Sequence, residues 1–244
     1  MPDRPAAFDR VLIVVAMRAE AGPIGAALGL DGPAEPLHPR FPATLTVDRT
    51  GSVGMALVGA DTRFDVDSIG TQPAVTTTLH AIERFEPGLV ISAGAAGGFE
   101  SLDGHIGQVI LANRCVYHDR RIAIPGWDEY GVGDYPVADL RLPLDELGIE
   151  TGTVSTGNAL DAPAEDLAAM ASSDTRAKEM EAAAVGWVCE RMGVPFTALK
   201  AITDLVDHHE ETAEQFDRNL ATAIERLADA LAAVVATVTT AAAR

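Results

Sequence analysis

Short runs of apolar and β-branched residues alternate along the chain with stretches that repeat apolar positions at helical spacing. This is the pattern of an α/β sheet with helices on its faces. The runs are Val11 to Val15, Leu45 to Val47, Met55 to Val58, Leu89 to Ser92, Val109 to Leu111, Thr153 to Ser155 and Phe196 to Ile202. They are continuously apolar rather than alternating, so strands buried on both faces are expected. Three helices have recognisable ends. Thr71-Gln72-Pro73 reads as an N-cap with Pro in the first turn, Val75, Leu79 and Ile82 as its buried face, and Pro87-Gly88 as its stop. Val185, Val188, Cys189 and Met192 mark a second helix that Gly193 and Pro195 end. The last starts at Thr212, with Gln215 at capping-box spacing, and carries the stripe Phe216, Leu220, Ile224, Leu227, Leu231, Val234, Val238. Gly29 to Pro42 and Ile124 to Pro136 read as loops. Neither a repeat nor a linker interrupts the pattern, so residues 1–244 are expected to form one domain.

Charge narrows the partners. Lys and Arg number 18 against 36 Asp and Glu, a net charge of −18, which repels phosphate backbones and anionic lipid headgroups. Neither nucleic acid nor membrane is expected as a partner. Only two lysines occur, Lys178 and Lys200. The two cysteines, Cys115 and Cys189, stand far apart without a CxxC spacing, which argues against a disulfide framework or a zinc site and fits a reducing, cytoplasmic setting. The polar segment Met1 to Arg10 and the brief apolar run after it lack the form of a signal peptide. Leu231 to Ala243, rich in Ala and Thr, reads as the end of a docked helix rather than a membrane span.

Open α/β sheets bind ligands where their strands end, and three acids fall there. Glu20 follows the first run at the start of a helix, where a first-turn acid favoured by the helix dipole is the plainer reading. Ala93 to Gly98 reads as a turn of small residues through which backbone can approach a ligand, or simply as a tight turn. It has neither the GxGxxG spacing of a dinucleotide site nor a P-loop GK[ST]. Glu181, in Glu179-Met180-Glu181, precedes a helix, and Asp204 ends the strand after it. Each of these two, taken alone, also fits a solvated acid near an element end.

The combination carries more than its parts. Ala16-Met17 with Glu20, Gly94 to Gly98, Tyr117-His118-Asp119, Ser155-Thr156-Gly157-Asn158, Glu179-Met180-Glu181-Ala182 and Ala201-Ile202-Thr203-Asp204, in that order, resemble the methylthioadenosine/S-adenosylhomocysteine nucleosidases of the nucleoside phosphorylase superfamily. His118 to Pro125, followed by Tyr130-Gly131-Val132-Gly133, is most similar to the plant-type branch. The resemblance implies an α/β fold of three αβα layers around a central mixed, twisted sheet. It also implies hydrolysis of an adenine nucleoside without metal or cofactor, and a homodimer in which the loop from Tyr117 to Trp127 reaches the neighbouring site. Trp127 serves equally as an ordinary loop anchor.

Breaking a ribosyl–adenine bond calls for an acid at the base, an activator of water and a holder for the sugar. By the resemblance, Asp204 protonates the base at N7, Glu20 takes a proton from water, and Glu181 accepts hydrogen bonds from the ribose 2′ and 3′ hydroxyls. Met17, Ala95, Gly97, Asn158, Leu160, Met180, Lys200 and Thr203 are the other expected substrate-binding positions. Three of these depart from the family pattern: many members carry Arg at 200, and several bacterial members carry Ser at 95 and Asp at 158. The plant-type branch shares Lys200. Three rivals stay open: a phosphorolytic enzyme on the same fold, which would need an Arg or His cluster and has Arg18 as a thin basis for one; a hydrolase of futalosine or a related nucleoside; and a non-catalytic nucleoside-binding module.

Overall fold

The computed structural model describes residues 5–242. Residues 1–4, where the polar N-terminal stretch begins, and 243–244, at the end of the last apolar run, lie outside the described residues. In chain order the elements are β1 (Val11–Val15), α1 (Arg18–Ala27), β2 (Glu35–His38), β3 (Phe41–Val47), β4 (Val53–Leu57), β5 (Ala60–Asp61), β6 (Val66–Asp67), α2 (Thr71–Phe85) and β7 (Leu89–Gly98). They continue with β8 (Val109–Tyr117), α3 (Asp128–Val132), α4 (Leu144–Leu147), β9 (Ile149–Thr156), α5 (Ala164–Ser172), β10 (Thr175–Glu179), α6 (Ala182–Met192), β11 (Phe196–Leu205) and α7 (Thr212–Ala242).

Nine strands form one mixed sheet in the order β10-β9-β8-β11-β7-β1-β4-β3-β2. β1 lies parallel to β4 and β7, and β7 parallel to β11, while β8 runs antiparallel to β11. A further antiparallel bridge, Lys178 to Gly97, joins β10 back to β7 and closes β7, β11, β8, β9 and β10 into a ring. Helices α2 and α6 cover one face, burying Ala74, Ile82, Phe85, Val185 and Val188. Helices α1 and α7 cover the other with Ile24, Ile224, Leu227, Leu231 and Val234. The expected three αβα layers are therefore present. The continuous apolarity of the strands has its cause in this double cover, since β1 and Leu89 to Ile91 are fully enclosed. Among the described residues, no helix is long and apolar enough to cross a membrane.

Several local readings change. The segment Ala93 to Gly98 is not a turn but the second half of β7, paired with β11 throughout. Its Gly and Ala residues have low strand propensity, and continuous pairing with β11, with a bridge from Gly97 to Lys178 on the other side, overrides it. Gly29 to Pro42 contains β2 and the start of β3, an edge hairpin whose polar residues face solvent. Ile124 to Pro136 includes α3. Helix α2 begins at Thr71 with Gly70 as its cap, and its buried face runs through Ala74, Thr77, Thr78, Ala81, Ile82 and Phe85, with Val75 and Leu79 on its flank. Small side chains let this helix approach α6, which an apolar-only count overlooks. Met192 is exposed at the end of α6. At the start of α7, Gln215 does not complete a capping box. Its side chain accepts from the Leu205 amide at 3.0 Å and donates to the Glu210 carbonyl at 2.8 Å, tying the loop after β11 to the helix.

Candidate active site

A cleft of about 350 Å³ opens where β1, β7, β10 and β11 end, and the first turns of α7 form part of its wall. Met17, Glu20, Ala95, Gly97, Leu160, Met180, Glu181, Thr203 and Asp204, all expected from the sequence, line it. The three acids that lie far apart in the chain thus meet in one cavity.

Glu20 is the third residue of α1, and its carboxylate reaches back to accept from the Met17 amide at 3.1 Å, closing the helix start. Its other oxygen accepts from the Ala95 amide on β7 at 2.8 Å. Burial pushes this carboxyl above its ordinary value, against those two amides and the charge of Lys200. Gly94 makes the approach possible, because a Cβ there would stand 2.8 Å from Glu20 Oε1. The glycines of this strand make room for carboxylates, a use the sequence did not reveal.

Asp204 owes its direction to an irregularity. The register between β11 and β7 passes from Ile202 opposite Ala96 to Asp204 opposite Gly97, leaving Thr203 as the extra residue of a bulge. The Thr203 hydroxyl donates to Asp204 Oδ1 at 2.7 Å. A Cβ on Gly97 would lie 2.7 Å from Asp204 Oδ2. Burial raises the Asp204 carboxyl above its ordinary value, opposed by Thr203 and by the charge of Lys178.

Glu181 caps α6 and accepts from the Gly70 amide at 2.8 Å. Burial and the charge of Glu179 push its pKa up to about 7. Glu179, which the sequence marked only as part of a motif, is the hub beneath it. Its carboxylate takes the Thr156 hydroxyl, the Lys200 ammonium at 2.9 Å, and the amides of Glu181 at 2.9 Å and Ala182 at 2.8 Å. Although burial works upward on Glu179, Lys200 and Thr156 hold it below its ordinary value.

Two expected positions lie elsewhere. Lys200 does not line the cleft. It is fully buried behind it as the counter-ion of Glu179, and the charges of Glu179 and Glu181 raise it against the pull of burial. Asn158 does not line the cleft either, and its side-chain oxygen accepts from the amide and the hydroxyl of Thr71, both at 3.0 Å, at the start of α2. The motifs around it prove to be framework: His118 Nδ1 meets the Ser155 hydroxyl at 2.9 Å, and the Asn158 amide donates to Asp119 at 2.8 Å. Lining residues that the sequence reading missed are Ala16, Ile69, Ala96, Lys178, Glu179, Ala213, Phe216 and Asp217. The α7 stripe signalled Phe216 as core, and only the packing turns it to the cleft.

Lys200→Met is expected to strand the Glu179 carboxylate without its cation and to lower the unfolding free energy by about 3–5 kcal/mol. Urea unfolding at neutral pH checks this, and a loss under about 1 kcal/mol, the worth of an exposed pair, would mean the pair contributes little. Without Lys200, burial is opposed only by the Thr156 hydroxyl and the backbone amides, so the folded pKa of Glu179 rises from its wild-type position. The deficit is then full above that pKa and shrinks as the pH falls through it.

The family model described as the phosphorylase superfamily matches residues 10–236. The 5′-methylthioadenosine nucleosidase of Arabidopsis thaliana is 38% identical over 216 residues, 87% of this chain and 81% of the relative. The chain belongs to the phosphorylase superfamily, in its methylthioadenosine/S-adenosylhomocysteine nucleosidase branch. A second superfamily member, the 5′-methylthioadenosine/S-adenosylhomocysteine nucleosidase of Arabidopsis thaliana, is 33% identical and spans 93% of this chain and 91% of its own. The solved structure of the Arabidopsis thaliana 5′-methylthioadenosine nucleosidase in apo form superimposes with a TM-score of 0.89 at 36% identity, covering 94% of this chain and 95% of that one. Futalosine hydrolase of Helicobacter pylori, at 24% identity and a TM-score of 0.74 over 93% of this chain and 97% of that one, shares the superfamily fold.

Proposed function

We propose that the protein hydrolyses the N-glycosidic bond of 5′-methylthioadenosine, and of S-adenosylhomocysteine, to adenine and the 5-thioribose. In this reading the Asp204 carboxyl gives its proton to base N7, the C1′–N9 bond breaks with its electron pair passing to N9, and adenine leaves neutral. Glu20 takes a proton from the water that bonds to C1′. Glu181 accepts from the ribose hydroxyls, which the Gly70 amide leaves free on its second oxygen. Met17 and Met180 pack against the sugar. Burial supports both proton-transfer roles, because raising a carboxyl toward neutrality makes it a usable acid or base at working pH.

The observation that carries hydrolysis over phosphorolysis is the charge of the cleft. Its lining holds five acids, Glu20, Glu179, Glu181, Asp204 and Asp217, and one cation, Lys178. Arg18, next in line as a phosphate ligand, is bound instead to Asp67 at 2.6 Å. A dianion would meet repulsion there.

The whole chain then acts as a single catalytic domain, a cytoplasmic enzyme assembled as a homodimer. Two buried free cysteines fit that compartment, and the exposed Ile124 and Trp127 fit a partner surface on the loop expected to reach a neighbouring site. Adenine release from methylthioadenosine and from S-adenosylhomocysteine in phosphate-free buffer tests the function. Turnover with free thioribose is the expected result. Strict dependence on phosphate would establish phosphorolysis, release from futalosine alone would reassign the substrate, and binding without release would make the chain a sensor.

A further inference from the structure

Lys178 is a buried lysine on the cleft wall to which the reaction above gives no task. An ammonium carries three donors. Two of them go to the carbonyls of Ala159 at 2.9 Å and Leu160 at 2.8 Å, in the loop after β9, and Leu160 itself lines the cleft. Carbonyls alone do not offset the cost of a buried positive charge, so a facing carboxylate is expected.

The sheet register supplies one. Lys178 on β10 and Asp204 on β11 stand opposite the same residue of β7, Gly97, one on each side of it. Register partners point to the same face of a sheet, and adjacent strands lie about 4.8 Å apart. The two side chains therefore share one face across a position with no side chain of its own, and a Cβ at Gly97 would press on the Asp204 carboxyl.

We propose that Lys178 is a positioning residue that acts through Asp204 and the loop after β9. It holds the Ala159 and Leu160 carbonyls at the end of the cleft where the base sits, and it balances the negative charge left on Asp204. The inference rests on the hydrolytic reading. As C1′–N9 breaks, the proton leaves Asp204 for N7, the base departs neutral, and the unit of negative charge stays on the Asp204 carboxylate. Lys178 transfers no proton in this step; burial lowers its pKa, and the charge of Asp204, first among the facing carboxylates, works to raise it.

Other charges face the pair. Asp161 from the loop after β9, Asp166 from α5 and Glu179 from its own strand act on Lys178, and the His118 imidazole, which burial and the charge of Lys178 hold below its ordinary value, is near enough to feel it. Asp204 faces the Thr203 hydroxyl and Lys178, and Asp217 of α7 lines the same cleft. None of the other groups is a cation that could replace Lys178 beside Asp204.

The test separates anchoring from charge. Lys178→Gln keeps donors for the carbonyls and loses the charge, Lys178→Met loses both, and Lys178→Arg keeps both. Expected results are a kcat about tenfold lower in Lys178→Gln and Lys178→Met, the weight of one pKa unit, with Lys178→Arg near wild type and KM raised only in Lys178→Met. In protein labelled with 13C at the Asp carboxyls, the Asp204 resonance is assigned by its absence from Asp204→Asn. It should titrate at higher pH in Lys178→Gln and Lys178→Met than in wild type. An Asp204 titration unmoved in both variants would overturn the proposal and leave Lys178 as a loop anchor. The resonance is read without turnover, so absence of adenine release by the wild-type protein would sink the hydrolytic reading separately. If Lys178→Met fails to fold, Lys178→Gln reads the same shift.

Discussion

Asp204→Asn is expected to lower kcat for adenine release by about 10²–10⁴-fold, the usual worth of a positioned general acid, with the fold intact. The carboxyl sits at a bulge, enclosed by Gly97 on one side and bonded to the Thr203 hydroxyl. An amide of the same shape keeps the Thr203 bond through its oxygen but has no proton to give near neutrality. The pH dependence distinguishes loss of the acid from loss of geometry. Burial raises Asp204, so in the proposed reaction the protonated fraction that supplies the acid declines as pH rises through that raised value. The residual rate of the variant should lack this alkaline limb. A purified, folded Asp204→Asn with near-normal kcat would remove Asp204 from the chemistry.

Glu20→Gln should cost a similar factor for a different reason. Glu20 accepts two backbone amides, from Met17 and Ala95, and an amide side chain can accept with only one end. Its NH₂ group would face one N–H donor, so a local cost of about 1–3 kcal/mol in stability accompanies the loss of the base. The acid limb of the rate profile, set by protonation of Glu20, should go with it. The alkaline limb of Asp204 should remain, whereas Glu181, beside the Lys200–Glu179 pair, titrates with that pair rather than alone. Single-turnover adenine release, with circular dichroism as the check on folding, reads both effects. Wild-type rates would mean that some other group activates water.

Strand positions were the most legible feature of the sequence. Strands buried on both sides must be apolar without alternation, and the runs at Val11 to Val15, Leu89 to Ser92 and Phe196 to Ile202 read directly as β1, β7 and β11. The second half of β7 was not legible, because Ala93 to Gly98 carries the composition of a turn. It is a strand for a reason visible only in three dimensions: β11 pairs along it, and Glu20 and Asp204 need the space that Gly94 and Gly97 leave. The roles of Lys200 and Asn158 were displaced for a related reason. A motif gives the order of residues, whereas the side of the sheet on which each one falls depends on register and on which neighbours claim its donors and acceptors. Glu179 claims Lys200, and the start of α2 claims Asn158.

The sequence alone determined the layered α/β architecture, since hydrophobic period is a property of the linear chain, and the resemblance carried by its motifs pointed to three acids whose meeting in one cleft only the fold brings about. Tertiary structure decided how those acids differ from one another. Burial against amides and a buried lysine sets Glu20, a one-residue bulge aims Asp204, and the charge of Glu179 lifts Glu181 to about 7. Protonation depends on distances between groups remote in the chain and on exclusion of water around them, and neither quantity exists before the strands are paired.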